Sequence, residues 1–180
     1  MEEHGVIRFR PEGGIFESLV ESILSQQLAG PAASAIIGKV RAIYPGGALE
    51  PTAVYRTPPG KLRAAGVSPQ KLGYLKDLSG RVVKGKIDLE AVREMSDEEI
   101  VATLDEVKGI GPWTVHMLLI FTLGRTDVLP VDDFGIRKGV QRLYSLPEMP
   151  KKADIEKLAE KWRPYRSVAS LYLWRHKDAK

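Results

Sequence analysis

Apolar residues recur at intervals of three and four along most of this chain, and strict alternation is nowhere sustained between turn signals. In GGIFESLVESILSQQLAG, Phe16, Leu19, Val20, Ile23, Leu24 and Leu28 fall on one helical face. Gly30 and Pro31 end that helix and open a second, whose Ala35, Ile36, Val40 and Ile43 share a side before YPGG stops it. TPPGKLRAAG places Thr57 as a cap and Pro58 at a first helical position, where a missing amide costs nothing. Ser68 and Pro69 repeat the device ahead of KLGYLKDLSGRVV. Ser96 with Glu99 forms a capping box, each side chain satisfying the other residue's terminal amide, and starts a helix that runs to about Leu104. Further helices are expected over about 112–123, 132–144, 151–163 and 165–176. The pattern therefore predicts an all-α bundle of many short helices, with no internal repeat and no low-complexity linker.

Between two of these helices lies DEVKGIG, a segment too short for anything but a tight hairpin. Gly109 and Gly111 can take a positive φ or let another backbone approach closely. Pro112 then opens a helix, so hairpin amides point outward from a positive helix end, a setting that attracts phosphate. A glycine C-cap followed by a proline start is the plainer reading of the same residues. What raises the sharper one is the order apolar-x-Gly-apolar-Gly, in which Val107 and Ile110 anchor the hairpin while the glycines face a ligand, the form of a helix-hairpin-helix DNA-binding motif at about 96–123. One helix further on, VLPVDDFGIRKGV opens a helix with two acids, Asp132 and Asp133. Acids at a helix start pair with its dipole. Beside a phosphate-binding hairpin, such a carboxylate is also positioned to meet a DNA sugar.

Composition narrows the chemistry. A chain of 180 residues that is 43% hydrophobic buries enough apolar surface to fold without covalent staples. It has no cysteine, which removes disulfides, cysteine-ligated zinc and cysteine-ligated iron-sulfur clusters together. His4, His116 and His176 have no metal-ligand spacing. MEEHGVIRFRPEGG is polar, with no signal-peptide apolar stretch, and no run is long enough to span a bilayer; an intracellular protein, cytoplasmic, nucleoid-associated or nuclear, is expected. The net charge of +4 favours an anionic partner only weakly.

Taken together, VKGIGPWTVHMLL and VLPVDDFGIRKGV resemble the helix-hairpin-helix (HhH-GPD) superfamily of DNA glycosylases, and GIGPWT is similar to its AlkA-type 3-methyladenine glycosylase branch. LVESILSQQLAGPAASAI and WRPYRSVASLYLWRH agree, so the resemblance covers most of the chain in the family's order. It implies two helical lobes with a cleft between them, forming a single compact catalytic unit over 1–180 without the extra N-terminal β domain of some members. The activity implied is removal of alkylated bases of the 3-methyladenine and 7-methylguanine class from damaged double-stranded DNA, by a monomer.

By the same resemblance Asp133 is the catalytic aspartate, and Asp132 a helix-start acid. Trp113 stands where bifunctional members carry a nucleophilic lysine, which implies a monofunctional enzyme without lyase activity. Trp113, Trp174, Met117 and Phe16 line the implied base pocket, with Met117 departing from an aromatic found in some relatives. Gln27, with Gln26 beside it, matches the wedge that fills the gap left by a flipped base; two solvated glutamines at a helix end is the alternative. Lys108, Gly109, Gly111 and Arg166 are implied DNA contacts, and Arg137, Lys138 and Arg163 further basic residues along the backbone. No cofactor is required, although the carbonyls of Asp105, Val107 and Ile110 are implied to hold Na+ or K+. Rival readings are a non-catalytic helix-hairpin-helix module, or a glycosylase for deaminated or oxidised bases.

Overall fold

The computed structural model describes Gly5 and residues 10–176. It is all-helical and divides into two compact units, one spanning Gly13–Leu118 and the other drawn from Met1–Glu12 and Leu119–Lys180. The first holds α1 (Ile15–Ser25), α2 (Gly30–Arg41), α3 (Pro51–Arg56), α4 (Pro59–Ala64), α5 (Pro69–Val83), α6 (Leu89–Glu94) and α7 (Asp97–Asp105). Helix α8 (Pro112–Phe121) begins there and ends in the second unit, which contains α9 (Phe134–Leu143), α10 (Lys152–Ala159) and α11 (Arg166–His176). Among the described residues no helix is long and apolar enough to cross a membrane.

In the Gly13–Leu118 unit, α5 packs against α1, α3 and α4. Leu19, Ile23 and Leu24 of α1, Leu75 and Leu78 of α5, and Ile100 and Leu104 of α7 are all fully buried. Two α5 lysines reach sideways to cap their neighbours. Lys71 Nζ donates to the Leu24 carbonyl at 2.6 Å, and Lys76 Nζ donates to the carbonyls of Val54, Tyr55 and Thr57 at 3.0, 2.6 and 2.6 Å. A cation satisfies the orphan carbonyls of a helix C-terminus and complements its dipole. Burial lowers the pKa of both ammonium groups.

In the other unit, Ile136 and Val140 of α9, Ile155 of α10 and Leu173 of α11 form the core. Gly139 lets α9 and α11 approach closely: a Cβ built there would lie 2.6 Å from the Leu173 carbonyl oxygen. Ser167 Oγ donates to the Arg125 carbonyl at 2.7 Å and accepts the Val128 amide at 3.0 Å, which fastens the segment before α9 to the start of α11. Asp127 completes that joint. Partial burial pushes its carboxyl up, but hydrogen bonds and charge from Arg166, with the charge of Arg163, outweigh this and hold it below the ordinary aspartate range.

The expected proline starts at Pro31, Pro69 and Pro112 and the Ser96–Glu99 capping box are present. Four local expectations are corrected. Thr57 ends α3, with Oγ1 donating to the Ala53 carbonyl at 2.7 Å, and Pro58 rather than Thr57 precedes α4, because the following Pro59 pushes Pro58 out of helical conformation. The buried stripe of α2 is Ala33 and Val40, with Ala35 exposed. Leu28 lies beyond the end of α1 and is exposed. The helix expected over 151–163 stops at Ala159 and tightens into a 3-10 turn, Glu160–Trp162.

Gly139→Ala is expected to destabilise the protein by about 1–3 kcal/mol, the usual range for overpacking a tight crossing, with backbone displaced between α9 and α11. Equilibrium denaturation measures the loss, and a variant as stable as the parent would mean the crossing has room to spare.

Candidate functional site

Asp133 is the N-cap of α9, and its position follows from local sequence. Pro130 ends the preceding extended segment, the Asp133 amide donates to the Pro130 carbonyl at 3.0 Å, and the Asp133 side chain turns back onto the new helix. Its Oδ1 accepts the Ile136 amide at 2.9 Å and the indole Nε1–H of Trp174 at 2.7 Å. Two donors on one oxygen fix both rotamer and carboxylate plane. Trp174 is held in turn by Phe121, whose ring stacks on it at a centroid distance of 5.8 Å and an interplanar angle of 28°. Phe134, next to the carboxylate, is 70% exposed, a large apolar surface left open to solvent. Asp132 is exposed and pairs with Lys152, as a helix-start acid would.

The hairpin lies in the Gly13–Leu118 unit. The Val107 amide donates to Leu104 and the Ile110 amide to Val107, both at 3.0 Å, while the Val107 and Ile110 side chains are buried. Gly109 takes φ +83°, and a Cβ there would overlap the Tyr74 ring. Gly111 has no positive φ, and among the described residues nothing beyond its chain neighbours lies within 4 Å of a Cβ built on it. The two glycines thus serve different ends: Gly109 packs inward, and Gly111 keeps an outward face low. Helix α8 is apolar all round, with Val115, Leu118, Leu119 and Ile120 buried, but Trp113 at its start is 46% exposed.

Helix α5 supplies a bracing set that the sequence reading missed. Tyr74 lies against Gly109, the Asp77 carboxylate accepts the Lys108 amide at 2.9 Å, and Arg81 pairs with Asp77 at 3.2 Å and with Glu106 at 3.0 Å. Their spacing along α5 puts these three residues on one face, so a polar stripe at helical period was the available signal. Gln26 Nε2 donates to the Gly109 carbonyl at 2.7 Å, whereas Gln27 is exposed at φ +56°.

The remaining expected residues each belong to one unit or the other. Phe16 is buried and lines a groove of ≈ 380 Å³ with Leu49, Pro51 and Leu89. Met117 is half-buried on α8. Arg166 is turned onto Asp127, with Nε at 2.7 Å and Nη2 at 3.0 Å from its two carboxylate oxygens, and so builds the start of α11. Arg163 also meets Asp127, at 2.9 Å, and Arg137 donates to the Pro150 carbonyl. His4 lies outside the described residues.

Residues 20–164 match the model for HhH-GPD superfamily base excision DNA repair proteins. The chain belongs to the HhH-GPD superfamily. It is 38% identical over 162 residues to DNA-3-methyladenine glycosylase 1 of Schizosaccharomyces pombe, covering 89% of this chain and 71% of that protein. Among solved structures, it is similar to the Schizosaccharomyces pombe 3-methyladenine DNA glycosylase in complex with abasic DNA, with TM-score 0.82, 36% identity, and 94% and 85% of the two chains covered. It is also similar to a DNA-3-methyladenine glycosidase from Bacillus halodurans, with TM-score 0.90, 38% identity, and 99% and 82% covered. Helix α7, the turn over 106–111 and helix α8 follow one another in the order helix, hairpin, helix. Asp133 falls within the residues that the HhH-GPD model matches, whereas Phe16, Arg166 and Trp174 fall outside them.

The two hairpin glycines are expected to separate in stability measurements. Gly109→Ala combines a disfavoured φ with overlap on Tyr74 and is expected to cost about 2 kcal/mol or more. Gly111→Ala is expected to stay within about 0.5 kcal/mol of the parent, as a substitution that touches nothing does. Equal losses in denaturant unfolding would contradict this division of roles.

Proposed function

We propose that this protein is a monofunctional DNA glycosylase that flips alkylated bases of the 3-methyladenine and 7-methylguanine class out of damaged duplex DNA and hydrolyses their N-glycosidic bond. The observation that carries the reading is the Asp133 carboxylate, fixed by the Ile136 amide and the Trp174 indole in a chain of the base excision superfamily. Departure of the base leaves positive charge on the deoxyribose, and a carboxylate held in place beforehand stabilises that charge without reorganising. It also orients the attacking water. Alkylation makes the purine a good leaving group, so the protein has little else to supply at the base.

Indole faces suit such a base, because a methylated purine that is cationic is attracted to a π surface and stacks on it. Trp113 and Trp174 are assigned this role. Trp113 at the first turn of α8 has no amine, so no imine forms with the sugar and the product is an abasic site in an intact strand. The similarity to 3-methyladenine glycosylases of two organisms supports the lesion class.

DNA is held by the hairpin, with the start of α8 directing positive helix dipole and backbone amides toward a phosphate. The carbonyls of Asp105, Val107 and Ile110 would hold a monovalent cation there. Neutral carbonyl oxygens suit such an ion; Val107 O accepts the Ile110 amide and keeps a second lone pair, and Asp105 closes α7, where carbonyls lack helical partners. When bound, the ion adds positive charge for the phosphate to meet. Among the described residues no cluster of three or more His, Asp or Glu side chains offers a competing metal site.

The test is a panel of duplexes, each with one 7-methylguanine, ethenoadenine, hypoxanthine or 8-oxoguanine, incubated with the protein with and without borohydride and then treated with alkali. Alkali-dependent breaks at alkylated bases are expected, with no covalent complex trapped. A borohydride-stable adduct on a lysine such as Lys108 would overturn the monofunctional assignment. No excision of any lesion would leave a DNA-binding module.

A further inference from the structure

Gln26 ends α1, and its side chain crosses to the hairpin, where Nε2 donates to the Gly109 carbonyl at 2.7 Å. That bond completes a pattern in the hairpin backbone. The peptide joining Gly109 to Ile110 is held at both ends, its carbonyl by Gln26 and its N–H by the Val107 carbonyl at 3.0 Å. The peptide joining Val107 to Lys108 is held likewise, its carbonyl by the Ile110 amide and its N–H by the Asp77 carboxylate at 2.9 Å. A peptide is planar, so anchoring both its ends fixes its orientation and limits the φ and ψ of its neighbours. With these two planes set, the backbone leading into α8 has little freedom left.

The other side of Gln26 is equally restrained. The Leu24 carbonyl accepts Lys71 Nζ at 2.6 Å, and the Leu28 amide returns to the Ser25 carbonyl at 3.2 Å. Between them Gln27 stands exposed with φ +56°, a conformation uncommon for a residue with a Cβ. The turn therefore presents one glutamine outward and uses its neighbour as an internal strut.

We propose that Gln26 is a positioning residue that joins the α1–α2 turn to the helix-hairpin-helix, so that Gln27, as the probe of the base stack, and the hairpin, as the phosphate anchor, are held as one rigid part. The inference rests on the reading of the hairpin as a phosphate site. It separates two glutamines that sequence left together, and it assigns Gln26 a role exerted through the Gly109 carbonyl rather than by contact with DNA.

The experiment is a double-mutant cycle on affinity for an undamaged duplex, using Gln26→Met, which keeps the side-chain volume and loses the donor, with Gly111→Ala. Gln26→Glu serves as a second variant, because its carboxylate meets the Gly109 carbonyl with an acceptor. Gln26→Met and Gln26→Glu are each expected to weaken binding by about three- to tenfold, the size of one lost hydrogen bond. The Gln26→Met, Gly111→Ala double variant is expected to bind no worse than the weaker single variant, since both act on one element. If Gly111→Ala weakens binding but both Gln26 variants bind as the parent does, or if the two losses multiply in the double variant, this inference is overturned and the phosphate reading stands. If Gly111→Ala itself binds as the parent does, the phosphate reading falls and takes the inference with it.

Discussion

One oxygen atom, Oδ1 of Asp133, accepts both the first amide that α9 needs satisfied and the indole N–H of Trp174. The two bonds tie the placement of the proposed catalytic carboxylate to folding. Capping α9 requires the carboxylate at the helix start, and the Trp174 bond requires α11 to lie close alongside. Gly139 allows that approach, since a side chain there would strike the Leu173 carbonyl one residue before Trp174. The short reach from a tight helix crossing to an oriented carboxylate is the constraint around which this unit is arranged. Phe121 finishes it by backing the indole face at 5.8 Å.

The hairpin is placed by a different device. In the proposed reading the backbone does the binding, so what matters there is the setting of peptide planes rather than of a side chain. Helix α5 provides most of the fixing from one face, through Tyr74, Asp77 and Arg81, and its Lys71 fastens the end of α1 as well. The ion pairs of this set, half-buried or at the surface, each contribute little by themselves. Their value lies in holding amide directions that would otherwise be lost to a glycine-rich loop, which has much entropy to lose on ordering.

Much of this was legible in the chain. Proline at helix starts, the Ser96 box and the three-and-four spacing gave the helices, and the glycine hairpin with the acid pair after Pro130 pointed to the candidate site. Capping rules could place an acid at the start of α9, but the choice of Asp133 came from family resemblance, because both acids fit the dipole equally well. The structure separates them by partner: Asp132 meets Lys152 and Asp133 meets Trp174. The α5 brace was not legible, because Tyr74, Asp77 and Arg81 read as an ordinary solvated face until their distant partners are known. The partner of Arg166 was hidden for a related reason. Asp127, which engages it, is remote in sequence, so no local pattern announces the pair. The register of α2 slipped because alanines outside and inside the core carry no distinguishing polarity.

The central claim is that the negative charge on Asp133 stabilises the sugar cation. Single-turnover excision from a 7-methylguanine duplex by Asp133→Asn, compared with Asp132→Asn, tests it most directly, because the amide keeps an oxygen able to cap α9 and removes only the charge. The account predicts a rate loss on the order of 10² to 10⁴ for Asp133→Asn, with duplex affinity unchanged or higher and Asp132→Asn near the parent rate. A near-parental rate for Asp133→Asn would contradict it.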